Sequence, residues 1–203
     1  MSGFPDPAVM NYLAHLYFSD STPLAWAGSL MGDFVKGAVP SSFPEELSRH
    51  LKLHRHIDSL TQCSEIFQNS RRRLDPRFRY ARSILVDVFY DHFLACRWDE
   101  YSDQPLADFA QNVYAGLQSC SDLLSPGLQQ QLPRMIEYDW LTAYRRPEIV
   151  QRVLVRLEER LQHKIPLASG FSQLEIWRDQ LEDDFVAFMD EAERATTAWK
   201  QVN

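Results

Sequence analysis

At 203 residues the chain is sized for one domain, and 45% hydrophobic with 24% charged residues suits a globular protein that buries a core without disulfides. No apolar run reaches the roughly 20 residues of a membrane-spanning helix; the best, 24–39, is interrupted by Asp33 and Lys36. The net charge of −7 is unevenly spread, because nine basic and only three acidic residues lie between Arg49 and Arg82, giving that window +6. Either a solvated helix face or a surface for an anionic partner would account for it.

Taken in chain order, residues 1–9 have neither the basic nor the apolar region of a secretory signal and read as an extension or a misplaced start. A single domain is expected over 10–203, opening with Met10-Asn-Tyr-Leu-Ala-His15-Leu. Proline then punctuates the chain. Asp6-Pro7, Thr22-Pro23, Asp75-Pro76 and Ser125-Pro126 each set a capping side chain before a proline suited to a first helical turn, and Pro44, Pro105 and Pro147 stand at similar starts. Apolar residues recur with helical spacing over 44–60, 76–98, 105–123, 147–162 and 172–200. Strand alternation and hairpin dipeptides are missing. The fold class expected is all-α, a compact bundle of roughly eight helices. Cys63, Cys96 and Cys120 share no close spacing and are expected as reduced, packed thiols of a cytoplasmic protein.

Several residues stand out against this background. Asp33 is the one acid in an apolar stretch expected to stay helical to Gly37, with glycine on either side allowing close approach of a ligand. His50, His54 and Asp58 are spaced i, i+4, i+8 and share one helix face, a platform for a divalent cation or simply paired polar residues; His56 points away. Asp87 and Asp91, one turn apart, interrupt the apolar run 84–94, with His92 adjacent. Two buried carboxylates repel, so a cation, or arginine or histidine partners, must offset them. His15 alone reads as a hydrogen-bonded core histidine. No nucleophile elbow, dinucleotide fingerprint or phosphate-binding Gly-Lys-Ser loop competes.

With these residues in place, the sequence resembles the acyl-carrier-protein phosphodiesterases. Four blocks carry the likeness in order: Met10-Asn-Tyr-Leu-Ala-His15-Leu, Gly32-Asp33-Phe-Val-Lys-Gly37, His54-Arg55-His56-Ile57-Asp58 and Asp87-Val-Phe-Tyr-Asp91-His92-Phe-Leu. The resemblance implies hydrolysis of the phosphodiester between 4′-phosphopantetheine and a serine of holo-acyl carrier protein. It also implies a divalent cation, manganese first with magnesium or iron(II) as alternatives, and a remote kinship with HD phosphohydrolases. By matching position it implies His54, Asp58, Asp87 and Asp91 as metal ligands, Asp33 and His92 as catalytic residues, and His15 as an outer member. Here the adjacent pair is reversed, Asp91-His92, which leaves open which of the two is a ligand.

Acyl carrier proteins are acidic, so the basic window gains a purpose: Arg55, Arg71, Arg72, Arg73, Arg77 and Arg79 are expected to dock one. Neither a nucleic acid nor a membrane is expected as a partner. The rival functions are an HD-type hydrolase of nucleotides or other small phosphodiesters, and a helical protein that binds carrier protein without cleaving it.

Overall fold

A computed structural model describes residues 12–203; the expected extension 1–9 lies outside the described residues. The described chain is all-α, with no strand among its residues. Its helices are α1 (Tyr12–Tyr17), α2 (Pro23–Met31), α3 (Glu45–Cys63), α4 (Glu65–Arg73), α5 (Arg82–Cys96), α6 (Trp98–Tyr101), α7 (Leu106–Ser119), α8 (Pro126–Glu137), α9 (Trp140–Ala143), α10 (Pro147–Arg160), α11 (Phe171–Ile176) and α12 (Arg178–Val202). None is long and apolar enough to cross a membrane.

Among the described residues the proline signals mark true starts; Asp6-Pro7 lies outside them. Thr22 accepts from the Ala25 N–H ahead of Pro23, and Ser125 from the Leu128 N–H ahead of Pro126, so side-chain oxygens satisfy otherwise orphaned first-turn donors. Two expected helices are divided. Segment 76–98 opens as a 3-10 turn, Pro76–Ala81, broken at Arg79 with φ 48° and ψ −127°, before α5 begins. Segment 172–200 is interrupted at Trp177, which separates α11 from α12. The cysteines are free, but none is buried, so they do not fill the core.

The molecule is organised around α5. Residues Leu85, Val86 and Val88 to Ala95 are buried on every side of it, against α1, α4, α10 and α12. Such all-round burial marks a central helix rather than an amphipathic outer one. The most extensive pairing of helices is α2 with α3. It is possible because Gly28 and Gly32, one turn apart on α2 and at its end, leave no side chain in the seam. A Cβ on Gly28 would lie 2.3 Å from the Leu47 carbonyl oxygen. One on Gly32 would lie 2.1 Å from Cδ2 of His54. The glycine beside Asp33 therefore admits a histidine ring from the neighbouring helix.

Candidate active site

Helix α2 stops at Met31, earlier than the expected Gly37, and Asp33 lies in the turn that follows. The Phe34 and Val35 N–H groups both donate to the Met31 carbonyl, tightening this turn and directing Asp33 toward α3. Helix α3 supplies His54 and Asp58, and α1 brings His15 from the start of the described chain. The rings of His15 and His54 stack with centroids 3.8 Å apart and planes 18° from parallel. Both face Asp58: Nε2 of His15 is 3.4 Å from Oδ1, and Nε2 of His54 is 3.2 Å from Oδ2. Asp33 Oδ1 approaches His54 Nε2 at 3.8 Å.

The protonation pattern follows from one contact. His54 Nδ1 lies 2.7 Å from the Ser29 carbonyl oxygen. A carbonyl only accepts, so Nδ1 donates and Nε2 of the neutral ring carries a lone pair. That lone pair points among carboxylate oxygens, and Nε2 has no hydrogen-bond partner. Neither nitrogen of His15 has one, nor does Asp33 Oδ2, although all these atoms are buried. Leaving several buried polar atoms unpaired is expensive. A positive charge among them, a proton or a cation, removes the conflict.

The electrostatics agree. Burial, then the neighbouring His54, pushes His15 down to about 4, so it stays neutral at pH 7. Burial also opposes protonation of His54, yet Asp58, Asp33 and the Ser29 carbonyl hold its pKa above the ordinary value. Burial alone would raise Asp58, but the two imidazoles keep it well below the usual carboxylate range. Asp33 rises to about 6, chiefly through burial, with His54, Lys36 and Arg160 pulling the other way. One ligand atom each from His15, His54 and Asp58 lies within 4.8 Å of the others, and these nitrogen and oxygen donors suit a borderline divalent cation. The donor set thus fits a metal ion.

Helix α5 contributes unevenly to this cluster. Asp87 faces it: burial first, then Asp58, Asp91 and Asp33, push its carboxyl well above the ordinary range. Asp91 is turned to α1 instead. Its Oδ2 accepts from the Leu13 N–H and its Oδ1 from the Ala14 N–H, both at 3.0 Å. It thereby holds the first turn of the helix that carries His15. Its burial raises it to about 7 against the pull of those two donors. His92 lies around the helix from both acids, fully buried. Its Nδ1 donates to the Tyr144 carbonyl at 2.7 Å, and Cys96 Sγ lies beside the ring.

The histidines that share the α3 sequence pattern are also separated. His50 is held by Asp20 at 3.0 Å and by Ser19 at 3.2 Å, outside the cluster. His56 stacks on Trp199.

The arginines of the basic window have distinct surroundings. Arg55 donates to the Val35 and Gly37 carbonyls, both at 2.7 Å. Arg73 binds Asp184 through Nε at 2.9 Å, and Arg71 binds Gln68. Arg72, Arg77 and Arg79 are exposed, the first beside Glu65 and the second between Asp75 and Ser169. Sequence reasoning read His15 alone as a core histidine; its contacts with His54 and Asp58 had no local signal, because these partners come from a helix about forty residues away. It also passed over Arg160, whose only signal is spatial.

A family model described as acyl carrier protein phosphodiesterase matches residues 10–192. The chain belongs to this family. An acyl carrier protein phosphodiesterase of Klebsiella pneumoniae subsp. pneumoniae is 32% identical over 187 residues, covering 88% of this chain and 93% of the relative. One from Escherichia coli O6:H1 is 32% identical over 201 residues, covering 91% and 98%. One from an Enterobacter species is 30% identical over 184 residues, covering 88% and 93%. No solved structure matches the chain. The matched residues of this phosphodiesterase family member include every side chain of the His15, Asp33, His54, Asp58 and Asp87 cluster.

Proposed function

We propose that the chain hydrolyses the phosphodiester joining 4′-phosphopantetheine to a serine of holo-acyl carrier protein, giving apo-carrier protein and free phosphopantetheine. The observation that carries this function is His54, locked by the Ser29 carbonyl with its free Nε2 aimed among carboxylates. His15, His54 and Asp58 would hold a divalent cation, manganese first, with Asp87 and Asp33 beside it. Such a cation supplies Lewis-acid polarisation of a phosphoryl oxygen and a lowered pKa for a bound water.

The remaining roles fall to the chain itself. Asp33, raised to about 6 by burial and only partly engaged by His54, is placed to orient the attacking water and accept its proton. Asp91 acts at a distance, holding α1 so that His15 stays stacked on His54. His92 is committed to the Tyr144 carbonyl and does not face the cluster, so we give it a packing role instead of the protonation of the departing serine.

The test is mass spectrometry of holo-acyl carrier protein incubated with the purified chain and manganese. Loss of the phosphopantetheine mass, abolished by Asp33→Ala, is the expected result. An unchanged carrier protein with manganese present, or hydrolysis of nucleotides in preference to it, would overturn the proposal.

A further inference from the structure

The loop from Asp33 to Val39 is held more firmly than its exposure suggests. Phe34 packs where a Cβ on Gly127 of α8 would come within 2.6 Å of its ring. Beyond it, the single guanidinium of Arg55 donates to the carbonyls of Val35 and Gly37, the residues on either side of Lys36. Gly37 takes φ +77°, a conformation L side chains rarely adopt, and its Cβ position is open space. Arg55 itself sits between His54 and Asp58 in the chain. The backbone of Lys36 is therefore fixed relative to the turn of α3 that carries the candidate ligands.

The lysine side chain held there is exposed and makes no hydrogen bond or ion pair among the described residues. Arg160, in the last turn of α10, has the same standing: exposed, with no ion-pair partner among the described residues. Helix α10 packs against α5, the helix of Asp87. Lys36 and Arg160 both act electrostatically on Asp33, yet neither comes within ion-pair distance of it. Lys36, three residues past Asp33 in the braced loop, and Arg160, at the end of a helix packed on α5, are thus two cations from separate elements near one acid of the site, neither of them neutralised by an ion pair among the described residues. Cations left unspent at the edge of such a cluster suit an anion of the substrate.

We propose that Lys36 and Arg160 form an anion clamp at the edge of the His15–His54–Asp58 cluster, binding the phosphoryl oxygens of the substrate, with Arg55 as the positioning residue that fixes Lys36. This rests on the phosphodiesterase function proposed above, but its test does not require carrier-protein hydrolysis. Titration of inorganic phosphate into the manganese-loaded chain, followed by calorimetry, measures the clamp directly. Lys36→Ala and Arg160→Ala should each weaken phosphate binding roughly tenfold, as loss of a charge-assisted contact does. Manganese affinity should be unchanged, and Lys36→Arg should restore phosphate binding. Arg55→Met should weaken phosphate as Lys36→Ala does, with the double variant little weaker than either single one. Phosphate affinity unchanged in both alanine variants, or absent in the parent chain, would overturn the clamp. So would slower carrier-protein hydrolysis with phosphate binding intact, which would assign these cations to the protein partner. A parent chain that binds phosphate through Lys36 but leaves holo-carrier protein intact would keep the clamp and refute the substrate.

Discussion

His15 and His54 stack face to face and offer their Nε2 atoms to opposite oxygens of one carboxylate, Asp58. Two imidazoles 3.8 Å apart cannot comfortably both be charged, and burial already holds His15 neutral. With His15 neutral, a cation need only displace the proton that Asp58 and Asp33 favour on His54, and the pair would then offer two nitrogen donors around an anionic oxygen donor. Metal-stripped protein should bind manganese, and His15→Gln should weaken that binding by at least about a hundredfold, the upper range for disturbing even supporting groups. At a manganese concentration about 100 times Kd the parent should gain about 2.7 kcal/mol of stability. Thermal melts with and without manganese, with calorimetry for Kd, would read both effects. Equal manganese affinity in the parent and His15→Gln would remove His15 from the ligand set.

Gly32→Ala probes the seam between α2 and α3. Its Cβ would fall 2.1 Å from His54 Cδ2, so either the ring or the end of α2 must move. Overpacking of this kind costs about 1–3 kcal/mol and should also reduce manganese affinity, because the ring that moves is a proposed ligand. Gly37→Ala is the matched control. It meets no neighbour and suffers only its positive φ, about 1 kcal/mol, with manganese affinity retained. Urea denaturation of the two variants, paired with metal titration, separates a filled seam from simple backbone strain.

Much of this was legible in the sequence where the signal is local. Thr22-Pro23 and Ser125-Pro126 announced helix starts because the capping oxygen and the proline sit side by side. His54 and Asp58 announced themselves by one helical turn of spacing, and Asp33 by its isolation among apolar residues. What failed to show depends on partners distant in the chain. The buried carboxylate of Asp91 looked like half of a repelling pair. Its charge is in fact answered by backbone N–H groups of α1, which carry no side-chain signature. His50 has the same spacing to His54 as Asp58 does, but Asp20 and Ser19 claim it from the α1–α2 connection. Arg79 gives no sign in its side chain of the φ of 48° that divides the expected helix 76–98.

Asp91 should consequently behave as a structural acid with a functional echo. Asp91→Ala removes the acceptor of two backbone N–H groups, one buried and one partly so, a loss of about 2–4 kcal/mol at roughly 1–2 kcal/mol each. Asp91→Asn keeps one acceptor oxygen and should lose about half as much. In both, manganese affinity should fall less than in His15→Gln, because the proposed ligands remain and only their support loosens. The pairing of melting temperature with manganese Kd across the three variants decides the matter. A loss of metal affinity in Asp91→Asn as large as in His15→Gln, with stability intact, would make Asp91 a ligand.

The basic window divides by surroundings, and the division predicts which arginines can meet an acidic partner. Arg73 is bound to Asp184, whose Oδ2 also accepts from Ser70 Oγ at 2.8 Å; Ser70 in turn lies 2.8 Å from the Tyr90 hydroxyl. This chain of contacts ties α4 to α12 and α5, so Arg73→Glu should cost roughly 1–3 kcal/mol of stability by setting two acids together. Arg72, Arg77 and Arg79 project into solvent, where charge reversal costs little stability. Reversing these three to Glu should raise KM for holo-acyl carrier protein severalfold and flatten its dependence on salt, because screening acts on the attraction that has been removed. Turnover of a small phosphodiester, which carries no acidic protein surface, should not change. Michaelis curves at low and high salt for both substrates provide the measurement. An unaltered KM for the carrier protein in the triple variant would move its docking face away from this window.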